Sequence, residues 1–354
     1  MAQQSTMTTR VASTSDPVRM WLFVVAALIF VMVSIGGATR LTGSGLSITE
    51  WQPIMGILPP FTETAWQEAF DKYRQIPQYQ HVNKGMSLAA FKFIYWWEWS
   101  HRFLARLVGI VFLVPFVFFL ATGRIARALA PKLGAIFFLG GLQGFIGWYM
   151  VRSGLAERVS VSQYRLALHL SLAILILGAI LWIAFSLRSS HAHPKASPLP
   201  GFTTAKLLLA LVFLQIVAGA FVAGMKAGSG YNTWPLMDGQ LIPDGLFAMH
   251  PRWANLFENA MTVQFNHRAL AYILFAFSAW QTWRVVQNNG EGRARLSAAA
   301  LLVAVFGQML LGIWALLARV PIELGLAHQA GAVAVFWLAV WHMHALSPLR
   351  AVTR

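Results

Sequence analysis

The sequence predicts an all-α integral membrane protein of eight transmembrane helices, arranged as two pseudo-symmetric four-helix bundles related by a parallel internal repeat. Three observations predict it. Of 354 residues, 57% are apolar and only 11% are charged, against about 25% charged in soluble domains. Apolar stretches long enough to cross a bilayer, about 20 residues each, recur eight times. The second half of the chain also repeats the first motif by motif, and such a repeat decides the architecture.

Taken in order, residues 1–17 (MAQQSTMTTRVASTSDP) are polar and contain no apolar run of their own, which reads as a disordered cytoplasmic tail rather than a cleaved signal. Spans over Val18–Ile35, Phe103–Ala121, Leu133–Val151 and Leu166–Leu187 make the N-terminal bundle, 18–190. A basic linker, 191–204, leads to spans over Ala205–Gly224, Leu270–Val286, Leu296–Leu317 and Leu324–Leu346. These form the C-terminal bundle, 205–346, before a tail at 347–354. The short loops Arg124–Lys132, Arg188–Lys206 and Arg284–Arg295 are basic, so the positive-inside rule places them and both termini in the cytoplasm. The long segments 37–92 and 226–262 then lie outside.

Lys and Arg number 27 against 12 Asp and Glu, a net charge of +15. In a membrane protein this balance reflects basic cytoplasmic loops facing anionic lipid rather than nucleic acid. The absence of cysteine excludes disulfides, thiolate nucleophiles, iron–sulfur clusters and zinc–thiolate sites.

The repeat is carried by four correspondences in order. SIGGATRLTGSGLSITEWQPIMGILPP (34–60) matches VAGAFVAGMKAGSGYNTWPLMDGQLIPDG (217–245): a small-residue pair, then GSG, then Trp and Pro. Glu98, His101 and Arg102 match Gln264, His267 and Arg268; GGLQGFIGWYMV matches VFGQMLLGIWALL; His169 in LALHLSLA matches His328 in LGLAHQAGAV. The offset spans an even number of crossings, so the halves run parallel rather than inverted.

Four histidines, His101, His169, His267 and His328, fall near the outer starts of the second, fourth, sixth and eighth spans. At 1.5 Å rise each is roughly 27–30 Å from the inner end of its span, which puts all four at one level. A lone intramembrane histidine can simply bond across helices. Recurrence at equal depth in both repeats points instead to axial ligation of haem, one pair of imidazoles per half. Zinc fits less well, for want of four ligands. His342 and His344 at an inner helix end, and His191 and His193 in a basic loop, read as interfacial or solvated residues. His81 and His250 are loop residues without a repeat counterpart.

Glu98 lies one helical turn before His101, whereas Gln264 holds the matching place before His267. An amide can bond but cannot act as a base or carry charge, so any chemistry belongs to the N-terminal half. Arg102 and Arg268 either snorkel to headgroups or pair with haem propionates.

FKFIYWWEWSHRFLARLVG (91–109), the 34–60 segment and QFNHRALAY (264–272) resemble the motifs of the haem A synthases, and the resemblance runs from about Val18 to Leu346. It implies conversion of haem O to haem A by two successive hydroxylations of the C8 methyl, giving a formyl group after loss of water. It also implies that His101 and His169 meet the substrate haem, that His267 and His328 hold a haem b cofactor, and that Glu98 is the essential carboxylate. The lack of cysteine resembles the branch shared by proteobacteria and mitochondria rather than the bacterial members with an outer-loop cysteine pair. A bacterial inner-membrane location, an unidentified electron acceptor and proximity to the farnesyltransferase that makes haem O follow as expectations; a homo-oligomer is left open. A solute carrier and a purely electron-transferring b-type cytochrome are the competing classes. Against them stand the lack of midplane charges and the single level of the four histidines.

Overall fold

The computed structural model describes residues 16–52, 55–156, 158–187, 197–288 and 292–348. Most of the N-terminal tail, His191 and His193 with the first part of the linker, and residues 349–354 lie outside that set. The long helices are α1 (Asp16–Leu41), α4 (Leu88–Ala121), α5 (Ala130–Ala156), α6 (Gln163–Ser186), α7 (Phe202–Gly224), α9 (Ala260–Gln287), α10 (Gly292–Leu317) and α11 (Ile322–Leu346). The short helices α2 (Glu63–Arg74) and α3 (Pro77–His81) precede α4, and the single turn α8 (Asn255–Glu258) precedes α9. No strand occurs among the described residues.

Seven of the long helices are apolar enough to cross a membrane: α1 (from Pro17), α4, α5, α6, α7, α10 and α11. The expected sixth span corresponds to α9, whose 28 residues give it the length. Its composition falls short, because it carries Gln264, Asn266, His267, Arg268, Ser278, Gln281, Thr282 and Arg284. The outward faces of the long helices are apolar; Phe138, Val303 and Trp314 are each more than 60% exposed. Surface of that kind over a whole molecule requires lipid around it, and the protein is an integral membrane protein.

Two expected helix starts move by ten residues or more. The second span begins not at Phe103 but at Leu88, where Ser87 caps the helix by accepting from the Ala90 amide at 3.2 Å. The sixth begins at Ala260, capped by Asn259, which accepts from the Met261 amide at 3.0 Å. In both cases the added turns are aromatic or polar, so an apolar-run criterion passes over them although the backbone is helical. At 34 residues α4 measures about 51 Å, far more than the roughly 30 Å hydrocarbon layer. Its first turns carry Phe91, Ile94 and Tyr95 into a second core with Leu46, Trp66, Phe70 and Tyr73. The expected outer loop 37–92 is thus largely a folded cap built on α2, α3 and the start of α4.

α1, α4, α5 and α6 pack in a closed ring, each against the next, and α7, α9, α10 and α11 do the same. α1 and α6 join α7 and α11 along a common seam. Small residues allow that seam to close: Gly178 leaves a Cβ position only 3.1 Å from the Phe336 ring. Gln329 of α11 reaches past Gly37 to donate to the Val33 carbonyl at 2.6 Å. The main core, including Leu22, Ala26, Ile174, Leu177, Leu208 and Val340, runs unbroken across the seam.

Candidate functional site

Each of the four histidines singled out in the sequence lies in a different helix, and each faces a glycine of the preceding long helix. A Cβ at Gly36 would lie 3.1 Å from the Cε1 of His101; at Gly147, 3.0 Å from that of His169; at Gly219, 3.1 Å from that of His267; and at Gly312, 2.7 Å from that of His328. Any other residue there would press on the imidazole. All four residues are half-buried. None stands at the very start of its helix, since His101 lies almost four turns into α4 and the others about two turns into theirs. Measured to the C-terminal helix ends, the four lie 17–20 residues away.

Amides hold three of these rings. Gln143 Nε2 lies 3.1 Å from His169 Nδ1 and donates to the His169 carbonyl at 3.0 Å. Gln215 meets His267 Nδ1 at 3.2 Å and the His267 carbonyl at 3.1 Å; Gln308 meets His328 Nδ1 at 3.1 Å and the His328 carbonyl at 2.7 Å. In all three the amide oxygen is buried without a partner. As placed, each amide N–H group meets Nδ1 and donates to the histidine's own carbonyl, which fixes the ring. Aiming the amide oxygen at an Nδ1–H, as metal binding through Nε2 requires, would give up that carbonyl bond. These glutamines are absent from the sequence reading, although a signal existed: each stands four residues before its glycine, at 143/147, 215/219 and 308/312.

Glu98 is 2% exposed and fully engaged. Its Oε2 accepts from Ser47 Oγ and the Ile48 amide, both at 2.8 Å. Its Oε1 accepts from Arg102 Nη2 at 2.6 Å and Nε at 3.1 Å. Arg102 also donates to the carbonyls of Ile48 at 2.8 Å and Glu50 at 3.0 Å. Arg268 makes the equivalent set, donating to Gln264 Oε1 at 2.9 Å, the Tyr231 carbonyl at 2.6 Å and the Thr233 carbonyl at 2.9 Å. Gln264 donates in turn to the carbonyls of Ala227 and Gly230. Both arginines therefore latch the chain that leaves α1 or α7, at the third and first residues before Trp51 or Trp234. The two latches have opposite polarity: Glu98 receives hydrogens from its loop, and Gln264 supplies them. Two cavities, of about 230 and 240 Å³, border the 48–50 segment and Arg102.

His342 and His344 are neither interfacial nor solvated, at 0% and 2% exposure. His342 bonds Ser297 Oγ at 3.0 Å and Gln281 Nε2 at 3.2 Å. His344 packs on Trp182 and Phe185. Apolar sequence on both sides hides such partners, because they come from other helices. His250 is exposed, and His81 closes α3.

The residues suit a haem better than a bare cation. Among the described residues no three His, Cys, Asp or Glu side chains converge, but a macrocycle needs only two protein ligands. The His267 and His328 rings stand 6.4 Å apart, centroid to centroid, with planes at 84°. Imidazoles about 2 Å from a metal on opposite sides, with the ring radius added at each end, have centroids roughly 6 Å apart.

Residues 19–340 match a protein family described as cytochrome oxidase assembly protein. The chain belongs to this family. It is 58% identical over 327 residues to the heme A synthase of Parvibaculum lavamentivorans, covering 92% of this chain and 93% of that one. The heme A synthase of Azorhizobium caulinodans is 53% identical over 327 residues, 92% and 93% of the two chains. That of Bradyrhizobium diazoefficiens is 51% identical over 344 residues, 96% and 95%.

Proposed function

We propose that this chain is a haem A synthase: a membrane oxidoreductase that takes haem O as substrate and converts its C8 methyl to a formyl group by two successive hydroxylations. The product serves as a cofactor of cytochrome oxidase. The observation that carries the reading is the glycine-cradled pairing of imidazoles, once in each ring of four helices. It supports eight crossings, with α9 as the least apolar, and two related halves, 18–190 and 205–346.

His101 and His169 would hold the substrate haem, and His267 and His328 a haem b cofactor. Haem b, when bound between two histidines, supplies one-electron transfer. Glu98 places a buried negative charge one turn from His101. With its acceptor positions filled by Ser47, Ile48 and Arg102, it acts as a fixed charge facing developing positive charge rather than as a free base. Arg102 and Arg268 lock the overlying loops and, in this reading, also pair with the haem propionates. The basic short loops support cytoplasmic termini in a bacterial inner membrane, with both sites toward the outer face. The electrons must leave to an acceptor, and haem O must arrive from a farnesyltransferase.

Purified full-length protein incubated with haem O and assayed by mass after acid extraction should yield haem A through a hydroxymethyl intermediate. It should also contain haem b as isolated. Protein that holds haem b yet leaves haem O unchanged under electron-accepting conditions would favour a simple electron carrier and overturn the assignment.

A further inference from the structure

Three of the four candidate ligands are backed by an amide, and the fourth is not. Gln143, Gln215 and Gln308 each stand one turn before the glycine that faces a histidine. The same place in α1, one turn before Gly36, is occupied by Met32. Its thioether is a poor acceptor, and His101 Nδ1 is buried with no hydrogen-bond partner. The repeat aligns Met32 with Gln215 as it aligns Glu98 with Gln264, so the N-terminal half departs from the C-terminal half at both residues that flank His101.

We infer that His101 is built as the labile ligand of the set, with Met32 as the positioning residue that withholds the usual support so that the substrate haem can exchange. The inference rests on reading the four histidines as haem ligands. A partner on Nδ1 fixes the plane of a ligating imidazole and raises its basicity, and losing one typically weakens metal binding 10–100-fold. A resident cofactor profits from that support on both sides. A substrate site does not, since it must admit one macrocycle and release another on every turnover. Packing points the same way. α4 meets α5 over a much shorter seam than α9 meets α10, and the cavity of about 240 Å³ lies beside that seam, between Arg102 and Trp148. The N-terminal ring is the less tightly closed of the two.

Met and Gln have nearly the same length and volume, so exchanging them changes the support with little repacking. The test uses full-length protein saturated with added haem b, as wild type, Met32→Gln and Gln215→Met. Carbon monoxide is the probe, because it binds ferrous haem only where an axial imidazole lets go. Wild type should show a fast and a slow phase of uptake in rapid-mixing absorbance. Met32→Gln should slow the fast phase about tenfold or more, and should slow haem transfer to a haem-scavenging globin by a similar factor. Gln215→Met should speed the slow phase. Unchanged carbon monoxide and haem-transfer rates in both variants, with haem bands intact, would overturn the inference alone. Wild type that takes up no low-spin haem at all would overturn the ligand reading and the inference with it.

Discussion

Glu98 illustrates how one side chain can carry both architecture and chemistry. Replacing it by Gln keeps shape but removes charge. It also turns a donor toward Ser47 Oγ and the Ile48 amide, which are donors themselves, or toward Arg102. Arg102 is left largely buried without its counter-charge, and breaking such a pair costs about 3–5 kcal/mol. Glu98→Gln should therefore retain haem, melt at lower temperature, and form haem A about 10²–10³-fold more slowly. Near-normal haem A accumulation at matched protein level would remove the carboxylate from the reaction. His342 tests the opposite case. Its partners Ser297 and Gln281 are buried but keep other bonds, to the Ala294 carbonyl and to Gly201 and Thr204, so His342→Leu should cost only about 1 kcal/mol for the lost hydrogen bonds. Its haem spectrum should nevertheless equal that of wild type, because the ring lies some four turns of α11 from His328; loss of haem bands in folded protein would make it a ligand.

At the scale of helices, the glycine cradles set two effects against each other. Gly→Ala inside a helix ordinarily stabilises by about 0.5–1 kcal/mol. At Gly312 the added methyl would stand 2.7 Å from His328 Cε1, so the ring must turn away from its present position. Gly312→Ala should fold normally and lose most of its haem b, read as haem per protein in the purified variant. Gly134 of α5, which faces open space, provides the control, with haem content unchanged in Gly134→Ala. Helix type and order were legible in the sequence, because apolar runs report directly on lipid immersion. The start of α4 was not, since Trp96, Trp97, Glu98 and Trp99 look like an interface whether or not the backbone is coiled. The burial of His342 was hidden for another reason: its partners Ser297 and Gln281 come from different helices, and no window along one helix contains them.

At the scale of the whole molecule, α9 decides the topology. Seven helices satisfy both length and composition; if only those cross, the two ends of the chain lie on opposite sides of the membrane. If α9 crosses as well, the ends share a side, and the two histidine pairs face the same way. The polar residues of α9 have partners inside the protein: Gln264 and Arg268 bond the loop after α7, Gln281 bonds His342 and the Gly201 carbonyl, and Thr282 bonds the Ala298 carbonyl. Polar groups satisfied in this way do not prevent a helix from spanning, because they never meet lipid. The polar composition of α9 is therefore compatible with a crossing, which reporter fusions test directly. A reporter that is active only in the cytoplasm should be active after Arg354 and within 189–204, and silent near residues 75 and 240. A periplasmic reporter should give the reverse pattern. Activity of the cytoplasmic reporter at 189–204 together with its loss after Arg354 would mean an odd number of crossings in the second half. In that case α9 would not span, and the two histidine pairs could not lie at one level.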